Sequence, residues 1–480
     1  MPASLSPIEL LLPEGYARAA LVLGDACPSV LRPSTAVDSG GDPVDLVVVA
    51  PTRDQRRDAA WVGSAASTAV SRLSADGLVY VVPAQARRLR GALEAAGLQV
   101  TARMLHIPDV SSSRHVVPVG TAAERYVLSG RLGMSELKRR AASVAMRSSW
   151  LSELGPTGTV LRGDPAVPLA AWMFSLDEPQ APGSVWVTSR RASSGGSVLH
   201  RFVEGHSEPD AVAKVSPRAA DELHGLGDIA PAAARAGVRV PDILWSGELG
   251  PAEALVQSAL SGTSAARLVE QGRLSVAELL TRLCGWLERW SRSESQPCTL
   301  ENEDLDRLIL VPARRLGGVA PAYLDYLGRL CARAAGSSCP LVPCHGDLTL
   351  TNILVEPNHD LGVLDWEEAS ADGLPLTDFF YSAADAVAAS HGYADRAGAV
   401  RACFAADGER TPLVRQLMRR VAAALDLNAV VQEVCFHACW LHHGSNEQER
   451  GSDPVEQPFR SILGILGDDV EGFSPSLFGS

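Results

Sequence analysis

Over the first 125 residues, apolar positions gather into short runs separated by amphipathic stretches. The run Ala20-Leu21-Val22-Leu23 ends on Gly24. Val44–Pro51 reads VDLVVVAP, a near-continuous apolar segment of the kind that a parallel sheet buries on both faces. Asp58–Leu73 has helical periodicity, and Gly77–Pro83 is a second buried strand pattern. Gln85–Ala96 predicts a helix with Gly97 at its C-terminal cap. Gln99–His106 and His115–Val119 then predict two strands that close the unit as a terminal hairpin. Alternation of strand and helix makes residues 1–125 an α/β unit.

Residues 126–182 read as a helical connector. Ser135–Leu154 places Leu137, Ala141, Val144, Ala145, Trp150 and Leu151 on one face, and Pro156 stops it. Pro165–Leu176 predicts a further short apolar helix or loop. Pro179, Pro182 and Gly183 mark a boundary. From 183 to 262 the pattern is strand-like, with Ser184–Ser189, Ser197–Val203 and Ala211–Val215 as strands and Gly195-Gly196 between the first two. Residues 263–480 are mostly helical. Ala277–Trp290 carries a clear core face, and helices are expected at about 377–391, 393–406, 411–443 and 455–466.

One stretch concentrates polar side chains that an apolar core does not need. Leu341–Glu368 reads LVPCHGDLTLTNILVEPNHDLGVLDWEE. Two apolar runs, Ile353–Val355 and Leu361–Leu364, flank a polar turn over Glu356–Asp360, which predicts a hairpin. That hairpin brings Asp347, Asn352 and Asp365 close to one another at one end. Their chemistry suits phosphoryl transfer. Asn352 and Asp365 offer hard oxygen ligands to a metal that bridges phosphates, and Asp347 can accept the proton of a hydroxyl nucleophile. The spacing Asp-x-x-x-x-Asn is that of a kinase catalytic loop.

On HGDLTLTN at His345–Asn352 and LDWE at Leu364–Glu367, the chain resembles the aminoglycoside phosphotransferase-like family of small-molecule kinases. The resemblance covers about 300 residues. It implies a bilobal, α+β protein-kinase-like fold, with residues 183–262 as the small lobe and 263–480 as the large lobe. It also implies ATP and Mg2+ as cofactors and a small-molecule hydroxyl as acceptor. Lys214, in the string Ala211-Val-Ala-Lys-Val215, is similar to the kinase lysine that pairs with the α- and β-phosphates, and it is the single lysine between residues 181 and 240. Glu222, on the following helix, is the expected partner of Lys214. Gly195 and Gly196 fall where a phosphate-covering loop belongs, since backbone N–H groups approach phosphate closely only where side chains are absent. Backbone groups at Gln257–Ala259 would meet the adenine. Asp378, in LPLTDFF, would brace the catalytic loop, and His345 is expected to be structural. Asp385, Glu433 and Trp440 lie on helices that wall the acceptor pocket in this family.

The first domain resembles, more loosely, the later half of a class I methyltransferase fold, which is a Rossmann-like unit. The phrase LSADGLVYVVP, a helix ending in AAG and a closing hairpin carry that likeness. The glycine-rich turn needed for S-adenosylmethionine is not there: Gly24-Asp-Ala-Cys-Pro28 has one glycine and a proline. A degenerate domain is expected.

Composition narrows the partners. A net charge of −13 argues against nucleic-acid binding, which needs a basic surface. No apolar run approaches the ~20 residues of a membrane span. The N-terminus has no basic start before its short apolar run, so a cytoplasmic location is expected. Nine scattered cysteines do not form a disulfide framework. Cys435, Cys439 and His442 would share a helix face that could ligate zinc, but the surrounding apolar residues favour a buried helix. Three other classes compete with the small-molecule kinase: a non-catalytic kinase-shaped scaffold, an S-adenosylmethionine-dependent methyltransferase and a protein kinase. Lys214 and Asp347 argue against the first, the missing glycine turn against the second, and the HGD and DWE variants against the third.

Overall fold

The structure, a computed structural model, describes residues 5–27, 42–82, 86–107, 115–127, 157–164, 169–175, 183–189, 196–317, 319–449, 458–469, 472–473 and 478. Ser135–Leu154, the 179–182 boundary and Gly195 lie outside these residues. The chain forms two compact units, Met1–Ala220 with Asp242–Ala259, and Asp221–Pro241 with Leu260–Ser480.

The first unit is built on one sheet, with eleven strands among the described residues. Strands β1 (Ala20–Leu23), β2 (Val44–Val49) and β3 (Leu73–Val81) run parallel. Helix Ala59–Arg72 connects β2 to β3, and its N-terminus is capped by Asp58, whose carboxylate accepts the Ala60 N–H at 2.9 Å. The continuous apolar reading of β2 has a simple cause. Leu46 and Val48 enter one core while Val47 and Val49 enter another on the opposite face. Gly24 (φ +88°) packs against the backbone of Ala50, 2.6 Å from where a Cβ would sit to the carbonyl oxygen. Sheet packing accounts for that glycine.

After helix Arg87–Ala95 come β4 (Gln99–Ile107) and β5 (His115–Pro118), which form the expected antiparallel hairpin. The hairpin is not terminal. Within the span read as a helical connector, β6 (Thr157–Arg162) inserts between β3 and β4, antiparallel to both. All six of its residues are buried. Its sequence, TGTVLR, hides this: the segment is short and an interior glycine weakens the strand signal, and Gly158 is small because the Tyr80 ring lies against it.

The other side of the hairpin also continues. β5 pairs with β7 (Gly183–Ser189), matching His115 with Thr188 and Val116 with Val187. An edge strand with unpaired N–H and C=O groups is thereby covered. The sheet then runs through β8 (Ser197–Val203), β9 (Ala211–Val215), β11 (Ala252–Ser258) and β10 (Ile243–Leu249), all antiparallel. One core lies beneath both halves: Leu46 and Val48 belong to the same cluster as Ala213 and Val256.

The second unit is mainly helical, with two small sheets. One holds β12 (Thr263–Ser264), β14 (Ile353–Val355) and β15 (Leu361–Val363); the other pairs β13 (Val342–Cys344) with β16 (Ser370–Gly373). Helix Val276–Glu294 buries Trp286 and Trp290, and Trp290 meets the edge of Trp366 at 5.9 Å. The expected helix over 411–443 is two helices, Thr411–Ala424 and Ala429–Glu449. Asp426 at φ 52° turns the chain between them, and Asn428 caps the second by accepting the Val431 N–H at 2.9 Å. The nine cysteines are free thiols, and Cys435 and Cys439 are buried. Among the described residues no helix is long and apolar enough to cross a membrane.

His437 is enclosed in this unit and shares a hydrogen bond of 2.7 Å with the Tyr323 hydroxyl. Burial lowers its pKa from 6.5 to about 3, and burial also lowers that of His200 to about 4. Both take up a proton on unfolding below pH 6.5 and remain neutral while folded. Stability therefore rises with pH through this window and is flat above it, by about 1.4 kcal/mol per pH unit for each histidine. Urea unfolding at pH 5.5 and 7.5 should show lower stability at pH 5.5, and the pH dependence should be smaller in His437→Phe. Equal pH dependence in the two proteins would contradict a neutral buried His437.

Candidate active site

The predicted hairpin is present. Ile353 pairs with Val363 and Val355 with Leu361, and the Glu356 N–H donates to the Asp360 carbonyl at 3.1 Å to close the turn. Beyond the paired residues, the Leu364 N–H donates to the Asn352 carbonyl at 2.9 Å. That bond sets Asn352 beside the residue that precedes Asp365.

The loop His345–Asn352 is held from behind by acids. The Asp378 carboxylate accepts the N–H of His345 at 2.7 Å and that of Gly346 at 3.0 Å. Burial raises its pKa, opposed by the nearby His345 and by these two N–H donors. Asp385, 2% exposed, accepts the Leu350 N–H at 2.8 Å, and the Tyr393 hydroxyl and Arg396 fix it at 3.1 and 3.0 Å. Ser382 donates to the Leu348 carbonyl at 2.8 Å. Asp378 thus takes the bracing position that its motif implies. Asp385 is committed to the same loop rather than to an acceptor.

His345 is a spacer, not a proton carrier. Its Nε2–H donates to the Leu364 carbonyl at 2.8 Å, and its Nδ1 accepts the Asp347 N–H at 3.3 Å. This network assigns one neutral tautomer and ties the two motifs together. Gly346 stands at φ +79°, and a Cβ there would press on the Glu368 carbonyl. Conformation and close approach both demand glycine.

Within the loop, the Asn352 side-chain N–H donates to the Asp347 carbonyl at 3.0 Å and lies 3.4 Å from its carboxylate. Asp365 adopts φ 66°, a left-handed conformation that costs energy outside glycine and that marks functional sites. Glu222, Asp365 and Glu367 bring carboxylate oxygens within 4.8 Å of one another. Gly225 makes this approach possible: its helix lies against the Trp366 backbone, where a side chain would collide. Three hard oxygen donors at this separation fit a divalent cation such as Mg2+. Glu367 escaped the sequence reading, although it is the acid of the LDWE motif itself.

The first unit holds the other candidates. Lys214 lies on β9, 7% exposed, opposite Leu255 of β11 and Val198 of β8. Gly196 stands at φ +120°, 2.6 Å from where its Cβ would sit to the Val215 carbonyl oxygen. Gln257 is buried on β11. The Ala259 N–H, expected to face a base, already donates to the Asp210 carbonyl at 2.9 Å, and that of Ser258 donates to the Asp242 carbonyl at 2.8 Å. Glu222, Asp347, Asn352 and Asp365 belong to the second unit. There Glu433 is bound by Tyr326 and by Arg333 at 3.0 Å, and Trp440 is buried. Cys435, Cys439 and His442 form no metal-ligand group among the described residues.

Residues 188–425 match the model of the phosphotransferase enzyme family. No curated protein matches the chain. Among solved structures, a thermostable mutant of aminoglycoside phosphotransferase APH(4)-Ia, in ternary complex with ADP and hygromycin B, is 16% identical, covering 59% of this chain and 92% of that one at a TM-score of 0.40. A protein described as a putative aminoglycoside phosphotransferase from Ralstonia eutropha is 15% identical over 62% and 97%, with a TM-score of 0.40. APH(3'')-Id from Streptomyces rimosus, in complex with ADP and streptomycin, is 19% identical over 52% and 92%, with a TM-score of 0.33.

Gly346 and Gly336 separate conformation from crowding. Their φ values are +79° and +78°, but a Cβ at Gly336 meets nothing within 4 Å. Gly336→Ala should cost about 1–2 kcal/mol for the left-handed conformation alone. Gly346→Ala should cost clearly more in chemical denaturation. Equal costs would mean that the Glu368 backbone yields freely.

Proposed function

We propose that the chain is an ATP- and Mg2+-dependent kinase that phosphorylates a hydroxyl of a small molecule. The observation that carries this reading is the loop in which Asn352 is hydrogen-bonded to Asp347 and tied through Leu364 to Asp365. A loose phosphoryl-transfer transition state needs aim and charge neutralisation more than strong base catalysis. Asp378, Asp385 and His345 fix the loop from three directions, which supports this reading.

Asp347 is the catalytic residue of this reading. It accepts a hydrogen bond from the acceptor hydroxyl and turns it toward the γ-phosphorus. Asn352 orients the Asp347 carboxylate and, with Asp365, holds Mg2+. Glu367, beside Asp365, adds negative charge that favours a cation there. A cation held by these residues would supply charge neutralisation to the phosphates. In this reading Lys214 holds the α- and β-phosphates, and Gly195 and Gly196 cover them. The acceptor is a neutral or charged small alcohol, sugar, aminoglycoside-like compound or biosynthetic intermediate, and the site of action is the cytoplasm, where ATP is plentiful.

Thermal stabilisation tests the nucleotide assignment. A ligand that binds the native state alone raises the melting temperature by mass action, by the equivalent of about 2.7 kcal/mol at one hundred times its Kd. Mg·ATP should stabilise the wild type, S-adenosylmethionine should not, and Asp365→Ala should lose the magnesium-dependent part. Stabilisation by S-adenosylmethionine alone would place the function in the first domain, and no shift with either ligand would favour the scaffold. With an acceptor in hand, Asp347→Ala should lose transfer by at least a hundredfold while its affinity for Mg·ATP stays within a few-fold of wild type. Full transfer activity in that variant would sink the assignment.

A further inference from the structure

The second unit holds a cavity of about 340 Å3 beside both motifs. Gly346 and Glu368 line it, and each is one residue away from an acid of the proposed site, Asp347 and Glu367 respectively. The volume lies within the roughly 300–1,000 Å3 of small-molecule sites.

Its lining is poor in negative charge. Leu308, Pro312, Leu374 and Ala438 present apolar surface. Cys344 and Cys439 add two thiols, which burial pushes up in pKa and so keeps neutral. Glu368 and Asp378 are the carboxylates of the lining among the described residues, and that of Asp378 is bound to the His345 and Gly346 N–H groups. Arg307, His442 and His443 can contribute only positive charge. One polar atom is left over. Ser445 lines the cavity, and its Oγ is buried with no hydrogen-bond partner among the described residues. A helical serine can return its hydroxyl to the carbonyl one turn back, and a buried hydroxyl without a partner is left with its desolvation uncompensated. Because a hydroxyl both donates and accepts, it can serve either kind of ligand group.

A polyamine suits this cavity poorly. Each ammonium taken from water needs a carboxylate or several acceptors around it. Beyond the carboxylate bound to the loop, the lining offers at most Glu368, against three side chains that carry or can take up positive charge. An apolar body gains instead from the aliphatic and thiol wall. On the reading that Asp347 receives the acceptor hydroxyl, we infer that this cavity seats the body of the acceptor, and that the acceptor is a compact alcohol with an apolar body and at most one positive charge, hydrogen-bonded by Ser445. Transfer then forms one bond, from the acceptor oxygen to the γ-phosphorus, as the bond from that phosphorus to the β–γ bridging oxygen breaks. ADP leaves, and the hydroxyl proton passes to Asp347.

Acceptor-dependent ADP release tests this. The full chain with Mg·ATP is offered 3-phenylpropanol, chloramphenicol and propranolol, which are alcohols with apolar bodies and no charge or one, and the polycations kanamycin and hygromycin B. At least one of the first three should raise ADP release tenfold or more over the rate without acceptor, and the polycations less than twofold. For the most effective alcohol, Ser445→Ala should raise KM at least fivefold and leave kcat within twofold, since the hydroxyl holds the body and not the reacting oxygen. Ala438→Trp fills the cavity and should abolish the stimulation, while titration with Mg·ATP checks that this variant is folded. Stimulation by the polycations, stimulation that survives Ala438→Trp, an unchanged KM in Ser445→Ala, or no stimulation in a protein that binds Mg·ATP overturns the inference and leaves the kinase reading in place. Failure of the wild type to bind Mg·ATP overturns both.

Discussion

The Asp378 carboxylate, buried and accepting two consecutive backbone N–H groups, is the constraint on which the active loop depends. Those donors, His345 and Gly346, sit where the chain leaves β13 and must reverse. Without a fixed acceptor they would be buried and unpaired. With it, His345 is aimed at the Leu364 carbonyl, and the segment before Asp365 is set relative to Asp347. One acid therefore positions both motifs. Asp385 repeats the device one turn further along, at Leu350, and is itself neutralised by Arg396.

Strain and close packing serve the same end. Asp365 is held left-handed, and Gly346 and Gly225 press against the backbone of Glu368 and Trp366. Each contact is unfavourable or unforgiving alone. Each persists because the hydrogen bonds around it leave the chain no relaxed alternative. The result is a cluster of acids, Glu222, Asp365 and Glu367, with carboxylate oxygens within 4.8 Å of one another.

The first unit shows a different economy. A parallel α/β sheet and an antiparallel sheet share one set of hydrogen-bonded strands and one core, through β5 and β7. Lys214 thus stands on the same sheet as the parallel amino-terminal strands. A change in that unit's core reaches the lysine strand through shared packing, not through a linker.

The sequence alone determined the elements whose signal is local. Strands β1 to β5, the helices between them, and β7 to β9 follow from hydrophobic period and glycine placement. Asp347, Asn352, Asp365 and Lys214 followed from two short motifs and one lysine among apolar residues, because that chemistry needs those residue types at fixed spacing. Tertiary structure decided what depends on partners distant in the chain. β6 is a strand because β3 and β4 offer edges to it, although TGTVLR is short and interrupted by Gly158. The approach of Glu222 to Asp365 and the commitment of the Ala259 N–H to Asp210 are likewise invisible to any window of sequence. The Gln257 Oε1, buried with no hydrogen-bond partner among the described residues, belongs with them: whether a buried amide is satisfied is settled only by which atoms the whole fold brings beside it.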